Sequence, residues 1–275
     1  MKRVKFLLTS AITLMMVVSC VTATRVPITG RKQRLSVSAE QMLSLSATQY
    51  KEYLGSAKKS TNAKNTAMVQ RVGQKLANAV TTYLSQNGYA NEVKNYAWEF
   101  NLVQSNSVNA FCMPGGKIVV YEGMLAVTQD EASLAIVLGH EIAHAVAKHS
   151  AEQMSKQKNQ SILTSLGASI LAVKAGQEAA NMATSLASTG LTFLNAHYSR
   201  DNESEADHMG LIFAAMAGYD PNTAISFWQR MSQASSGSAS TSILQSYLSS
   251  HPSDAKRVTD IQKWLPEAMK YYTGK

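Results

Sequence analysis

The chain has 275 residues, 45% of them hydrophobic and 16% charged, a globular balance that excludes a disordered or collagen-like polymer. Its net charge of +8 is scattered, with no long basic run interleaved with aromatics, and this removes nucleic-acid binding from the reading. Two cysteines, Cys20 and Cys112, exclude a disulfide scaffold.

The first element is a leader. Met1 to Lys5 is basic, and Phe6 to Val18 is an apolar run too short to span a bilayer and suited to a secretory signal. Val17-Val18-Ser19-Cys20 resembles the lipobox of bacterial lipoproteins, which implies cleavage after residue 19 and acylation of Cys20. Val21, rather than Asp, after the cysteine resembles cargo sent to the outer membrane. The expected location is therefore a bacterial envelope, at the periplasmic face of that membrane. Residues 20–36 hold Pro27, Gly30, Arg25, Arg31, Lys32 and Arg34, and read as a tether lying near anionic headgroups. Residues 37–275 read as one domain.

Within that domain, residues 38–54 and 63–86 have helical spacing, with Met68, Val72, Leu76 and Val80 at four-residue steps and Gly88 as the stop. Trp98, Phe100 and Leu102 then alternate with Glu99, Asn101 and Val103, the period of a strand. Asn109 to Tyr121 reads as two extended segments around the turn Pro114-Gly115-Gly116. A helix from Ala132 to Lys148 follows, with Thr128 as N-cap and Glu131 completing a capping box. Residues 160–192, rich in Ala, Ser, Leu and Gly, predict one or two helices with a tight small-residue face. Further helices are expected from Asp201 to Ala217 and from Asp220-Pro221. Ser235 to Ser240 reads as a loop, and His251-Pro252-Ser253-Asp254 opens the last helical region. The fold class is α+β, mainly α-helical, with a small sheet or hairpin beside the apolar helix.

Chemistry concentrates in His140-Glu141-Ile142-Ala143-His144. Residues four apart share a helix face, so both imidazoles can bind one Zn²⁺ while Glu141 reaches a metal-bound water. A catalytic zinc takes three protein ligands, so a third must come from elsewhere. The metzincin pattern fails, because Ala147 and Ser150 stand where it needs Gly and His. His149, half a turn round a continuing helix, reads as an exposed polar residue. Glu203 and Asp207 share a face on the Asp201 helix, a layout that suits a glutamate binding metal and an aspartate hydrogen-bonding a ligand histidine, and equally a solvated acidic helix start favoured by the dipole. Glu205 points away from them and reads as a solvated charge. Cys112 reads as a small buried side chain.

His140-Glu141-x-x-His144, then Ser199-Arg200-x-x-Glu203-x-x-Ala206-Asp207, then His251-Pro252 with Arg257, resembles the zinc endopeptidase family of HtpX, the CAAX prenyl endopeptidase and the mitochondrial Oma-type protease. Asn109-Ala110-Phe111 and the Pro-Gly-Gly turn match the same family, and the likeness runs from about Thr61 to Lys263. The resemblance implies a zincin-like domain with one Zn²⁺ on His140, His144 and Glu203, Glu141 as general base, and Asp207 behind a ligand. It also implies His251 and Arg257 as donors to the oxyanion, with His251 alternatively a resting-state zinc ligand. An edge strand at Lys117, Ile118, Val119, Val120 and Tyr121, with Asn109 nearby, is expected to pair with extended substrate. Unfolded or misassembled envelope proteins are the expected substrates, and acylated Cys20 the expected membrane contact. The competing reading is a lipid-anchored chaperone or assembly factor that cleaves little.

Overall fold

The computed structural model describes residues 22–172, 193, 198–235, 241–251 and 256–274. The leader, Cys20, most of the small-residue stretch beyond Ala172, residues 236–240 of the expected loop and Pro252-Ser253-Asp254 lie outside them. The molecule is mainly helical with two small sheets, the α+β class read from the sequence. Among the described residues no helix is long and apolar enough to cross a membrane.

Two compact units divide the chain. In the first, β1 (Thr22–Arg25) and β2 (Lys32–Leu35) pair antiparallel, from Thr22↔Leu35 to Arg25↔Lys32. The same unit takes in most of helix α6 (His149–Ala172). Arg31 pairs with Glu152 at 2.9 Å, and Ser36 N donates to Ser155 Oγ at 2.9 Å. The expected tether is thus a hairpin. Its turn carries two positive φ angles, 66° at Ile28 and 65° at Gly30, a reversal that composition alone did not register.

The second unit holds the larger core. Its helices are α1 (Ala39–Ser56), α2 (Ala63–Gln86), α3 (Ala90–Val93), α4 (Glu122–Thr128), α5 (Glu131–Val146), α7 (Arg200–Met216), α8 (Thr223–Ser235), α9 (Thr241–Ser250) and α10 (Arg257–Ala268). Asn62 caps α2 by accepting from Asn65 N at 3.0 Å, and Val69, Val72, Leu76, Val80 and Leu84 bury one face of it. Strands β3 (Glu99–Val103), β4 (Ala110–Met113) and β5 (Lys117–Tyr121) form one sheet in the order β3-β5-β4. Gly115 and Gly116, with φ of 88° and 80°, turn β4 back onto β5.

Helix α5 runs through the middle, packed by α7, α2, β4 and α8. Its N-cap is Asp130, which accepts from Ser133 N at 2.7 Å. This corrects the expected Thr128–Glu131 capping box. Thr128 is instead the last residue of α4, and the chain reverses at Gln129 with φ of 67°.

Candidate metal centre

Two helices meet backbone to backbone. A Cβ added at Gly139 would lie 2.6 Å from the Gly210 carbonyl oxygen, and one at Gly210 would lie 2.6 Å from His140 N. Only glycine permits this approach, which carries the His140 face of α5 against the Glu203 face of α7.

The crossing brings together His140, His144 and Glu203, and His251, just after α9, joins them as a fourth buried donor. His144 Nε2 lies 3.0 Å from His140 Nε2 and 3.3 Å from Glu203 Oε1. His140 Nε2 lies 3.4 Å from Glu203 Oε2, and His251 Nδ1 lies 3.1 Å from Glu203 Oε1 and 3.3 Å from His140 Nε2. Donors held about 2.0–2.1 Å from a tetrahedral zinc stand roughly 3.4 Å apart, so this cluster fits that ion. Glu141, also buried, keeps its Oε1 without a hydrogen-bond partner, 3.6 Å from His251 Nε2. A buried carboxylate oxygen left unpaired beside a set of metal donors is the arrangement a waiting base requires.

Behind the donors lie two supporting groups. His140 Nδ1 bonds Asp207 Oδ1 at 2.8 Å. Arg257 clamps Asp207 through Nε at 2.6 Å and Nη2 at 2.8 Å, reaches Glu203 Oε2 at 3.3 Å, and stacks 3.6 Å over the Trp228 ring. Its Nε and Nη2 are thus engaged with two carboxylates on α7, while Nη1 is buried without a hydrogen-bond partner. On the other side, His144 Nδ1 meets His149 Nδ1 at 2.8 Å, and His149 Nε2 meets Glu205 Oε2 at 3.0 Å. Both residues were expected in solvent, and both are buried. Helix α5 ends at Val146 and Lys148 takes φ of 56°, so His149 opens a new helix turned back toward His144. Glu205 is buried because α7 is covered on more than one side.

Burial and charge act against each other here. Burial alone would lower the His140 pKa, but the hydrogen bonds to Asp207 and Glu203 outweigh it and raise the value to about 9. Burial holds His144 well below the usual histidine range and pushes the Glu141 carboxyl up. Glu203 and Asp207 lie below the carboxylate range despite burial, held there by neighbouring histidines and by Arg257.

The expected edge strand is corrected as well. Strand β5 is the middle strand, parallel to β3 and antiparallel to β4. Ile118, Val119 and Val120 are core residues, Lys117 Nζ donates to Ala97 O at 2.8 Å, and Tyr121 N donates to Asn109 O at 3.0 Å. A parallel partner brought from earlier in the chain put β5 inside the sheet, and hairpin patterning does not report such a partner. Cys112 is buried, as expected, with its thiol pKa raised by burial.

Comparison with known proteins gives a family match: Peptidase family M48, over residues 63–265. A mitochondrial metalloendopeptidase OMA1 from Schizosaccharomyces pombe is 39% identical over 171 residues, 62% of this chain and 48% of its own. Its counterpart from Bos taurus is 32% identical over 251 residues, 89% of this chain and 46% of its own. A beta-barrel assembly-enhancing protease from Escherichia coli is 30% identical over 189 residues, 66% of this chain and 38% of its own. The chain thus spans about half the length of these relatives or less. The expected bacterial-envelope location is overturned, because relatives from fungi, a plant and mammals are mitochondrial proteins.

Proposed function

The chain belongs to Peptidase family M48, a family of zinc metalloendopeptidases, and from that premise we propose that it hydrolyses internal peptide bonds of unfolded or misassembled proteins. The observation that carries the reading is Glu141, buried with an unpaired oxygen beside the four-donor cluster. His140, His144 and Glu203 would hold the zinc, which when bound would supply Lewis acidity to lower the pKa of a water and polarise a carbonyl. Glu141 accepts the proton of the attacking water at Oε1 and returns it to the leaving nitrogen. Its raised pKa makes it a better proton acceptor than an exposed glutamate. Asp207 accepts from His140 Nδ1, which turns the Nε2 lone pair toward the cluster. Arg257 holds Asp207 and Glu203 in register as a positioning residue. His251 stands within the donor cluster, and its proposed role is that of a fourth donor in a resting state.

Substrate is assigned to β4 rather than β5. Asn109 pairs with Tyr121 through a backbone bond, so by antiparallel alternation Ala110 and Cys112 turn their peptide groups away from β5. An extended peptide can add there as a strand, which selects for unfolded chains. Membrane attachment through acylated Cys20 is the remaining part of the proposal, tested by mass spectrometry of the mature N-terminus.

One observation favours a second reading. Four protein donors also describe a closed, structural zinc site, compatible with an assembly factor that cleaves little. Digestion of an unfolded casein and of a tightly folded protein by the zinc-loaded chain decides between them. The protease reading expects cleavage of casein alone, and a loss of about 10²- to 10⁴-fold in Glu141→Gln with zinc retained. No cleavage by the parent chain, or equal cleavage by Glu141→Gln, removes it.

A further inference from the structure

His149 and Glu205 have no task in the mechanism above, yet their protons can be placed one by one. His144 turns Nε2 toward His140 Nε2 and Glu203 Oε1, at 3.0 and 3.3 Å. A neutral imidazole offering its Nε2 lone pair carries its proton on Nδ1. That N–H donates to His149 Nδ1, 2.8 Å away, so His149 carries its own proton on Nε2. Nε2 then donates to Glu205 Oε2 at 3.0 Å, and Glu205 Oε1 accepts from the Thr29 hydroxyl at 2.5 Å. The opposite tautomer of His149 would set two N–H groups face to face and a lone pair against a carboxylate. The chain of bonds therefore runs in one direction, with every donor met by an acceptor.

We propose that His149 and Glu205 are positioning residues that lock the tautomer and ring orientation of His144, as Asp207 does for His140. The inference rests on the reading of His144 as a zinc ligand. Thr29 completes the device from a distant part of the chain. It stands between Ile28 and Gly30, both at positive φ, in a turn that presents its hydroxyl to Glu205. A buried His–Glu pair kept only for packing would need no such direction. Here the carboxylate acts through an imidazole bridge, and it supports the basicity of a donor it does not touch.

Chelator competition on the full chain measures zinc affinity. Visible absorption of the Co²⁺-substituted protein reports the geometry at the metal, and metal-free melting separates packing from orientation. His149→Phe and Glu205→Gln are expected to bind zinc about 10- to 100-fold more weakly and to shift the cobalt bands. His149→Gln keeps an acceptor toward His144 and a donor toward Glu205, and is expected to recover most of the affinity. Zinc affinity and cobalt bands unchanged in His149→Phe and Glu205→Gln, at any melting temperature, overturn the proposal. Should His149→Phe fail to fold, Thr29→Val decides. Zinc binding about five-fold weaker supports the inference, and parental affinity overturns it. His144→Ala is the control: if it keeps zinc, the ligand reading itself fails, an outcome distinct from loss of the positioning role alone.

Discussion

The two histidines of α5 are held from behind in different ways. His140 meets its carboxylate directly, with Asp207 four residues after Glu203 on the same face of α7 and Arg257 clamped over both. His144 reaches its carboxylate through a second imidazole, on a side built from three separate stretches of chain around Thr29, His149 and Glu205. A support carried by one helix follows from spacing. A support assembled from a turn, a helix start and the far face of α7 depends on where each stretch stops. The difference also has an electrostatic side. The carboxylates near His140 raise its pKa to about 9, whereas burial keeps His144 well below the usual range.

The sharpest break of the comparison is Arg257→Ala, which strips a buried cation from Asp207 and Glu203 and leaves His149 and Glu205 untouched. Loss of one partner of a buried ion pair costs about 3–5 kcal/mol. Denaturant melts of the metal-free protein should show that loss. A change near zero would mean that the His140 side does not depend on its clamp.

A pH series sharpens the same contrast. His140, raised from an ordinary value of about 6.5, contributes stability that is complete below that pH and is lost as pH rises through about 9. His144, held neutral, acts in the opposite sense, costing stability as pH falls below about 6.5 and the unfolded chain takes up the proton. The metal-free protein should therefore lose on the order of 3 kcal/mol between neutral pH and about pH 9.5. Asp207→Asn should flatten that slope and Glu205→Gln should leave it in place, as read from urea midpoints across the range. Equal slopes in the two variants would erase the distinction between the sides.

How much of this could be read beforehand follows the same division. His140 and His144, and separately Glu203 and Asp207, lie four apart on their helices, so period alone places each pair on one face, while the family resemblance is what implied that the two pairs share a metal. His149 was misread because the helix was carried through Lys148, where the chain in fact turns at φ of 56°, and Glu205 because the cover over a second side of α7 is not written in its own spacing. The crossing that joins the two sets depends on Gly139 and Gly210, single small residues inside helical patterns, which read as tolerated interruptions until a partner helix is known. The inner place of β5 and the engagement of Arg257 with carboxylates are likewise long-range facts. Gly210→Ala tests the crossing. Its Cβ would meet the His140 backbone, so a loss of about 1–3 kcal/mol is expected, with zinc binding weakened on both sides at once. A variant that weakened only one histidine would show that the helices do not act as a single frame.

The smallest expected effect is the most discriminating for His144. The Tyr198 ring stacks on His144 with centroids 4.1 Å apart, and its hydroxyl meets Ser150 Oγ at 2.8 Å. Tyr198 is thus a rival for holding this histidine, acting on the ring face where His149 acts on an edge nitrogen. Tyr198→Phe keeps the stacked ring and deletes one hydroxyl bond, worth about 1 kcal/mol in a denaturant melt. A stacked face leaves the imidazole free to rotate in its own plane, whereas a hydrogen bond to Nδ1 fixes where Nε2 points. Zinc affinity in Tyr198→Phe should therefore stay within about two-fold of the parent, a difference of ~0.4 kcal/mol. A loss as large as that of Glu205→Gln would mean that His144 is held from the Ser150–Tyr198 contact, and that the carboxylate behind His149 acts only as part of the packed interior.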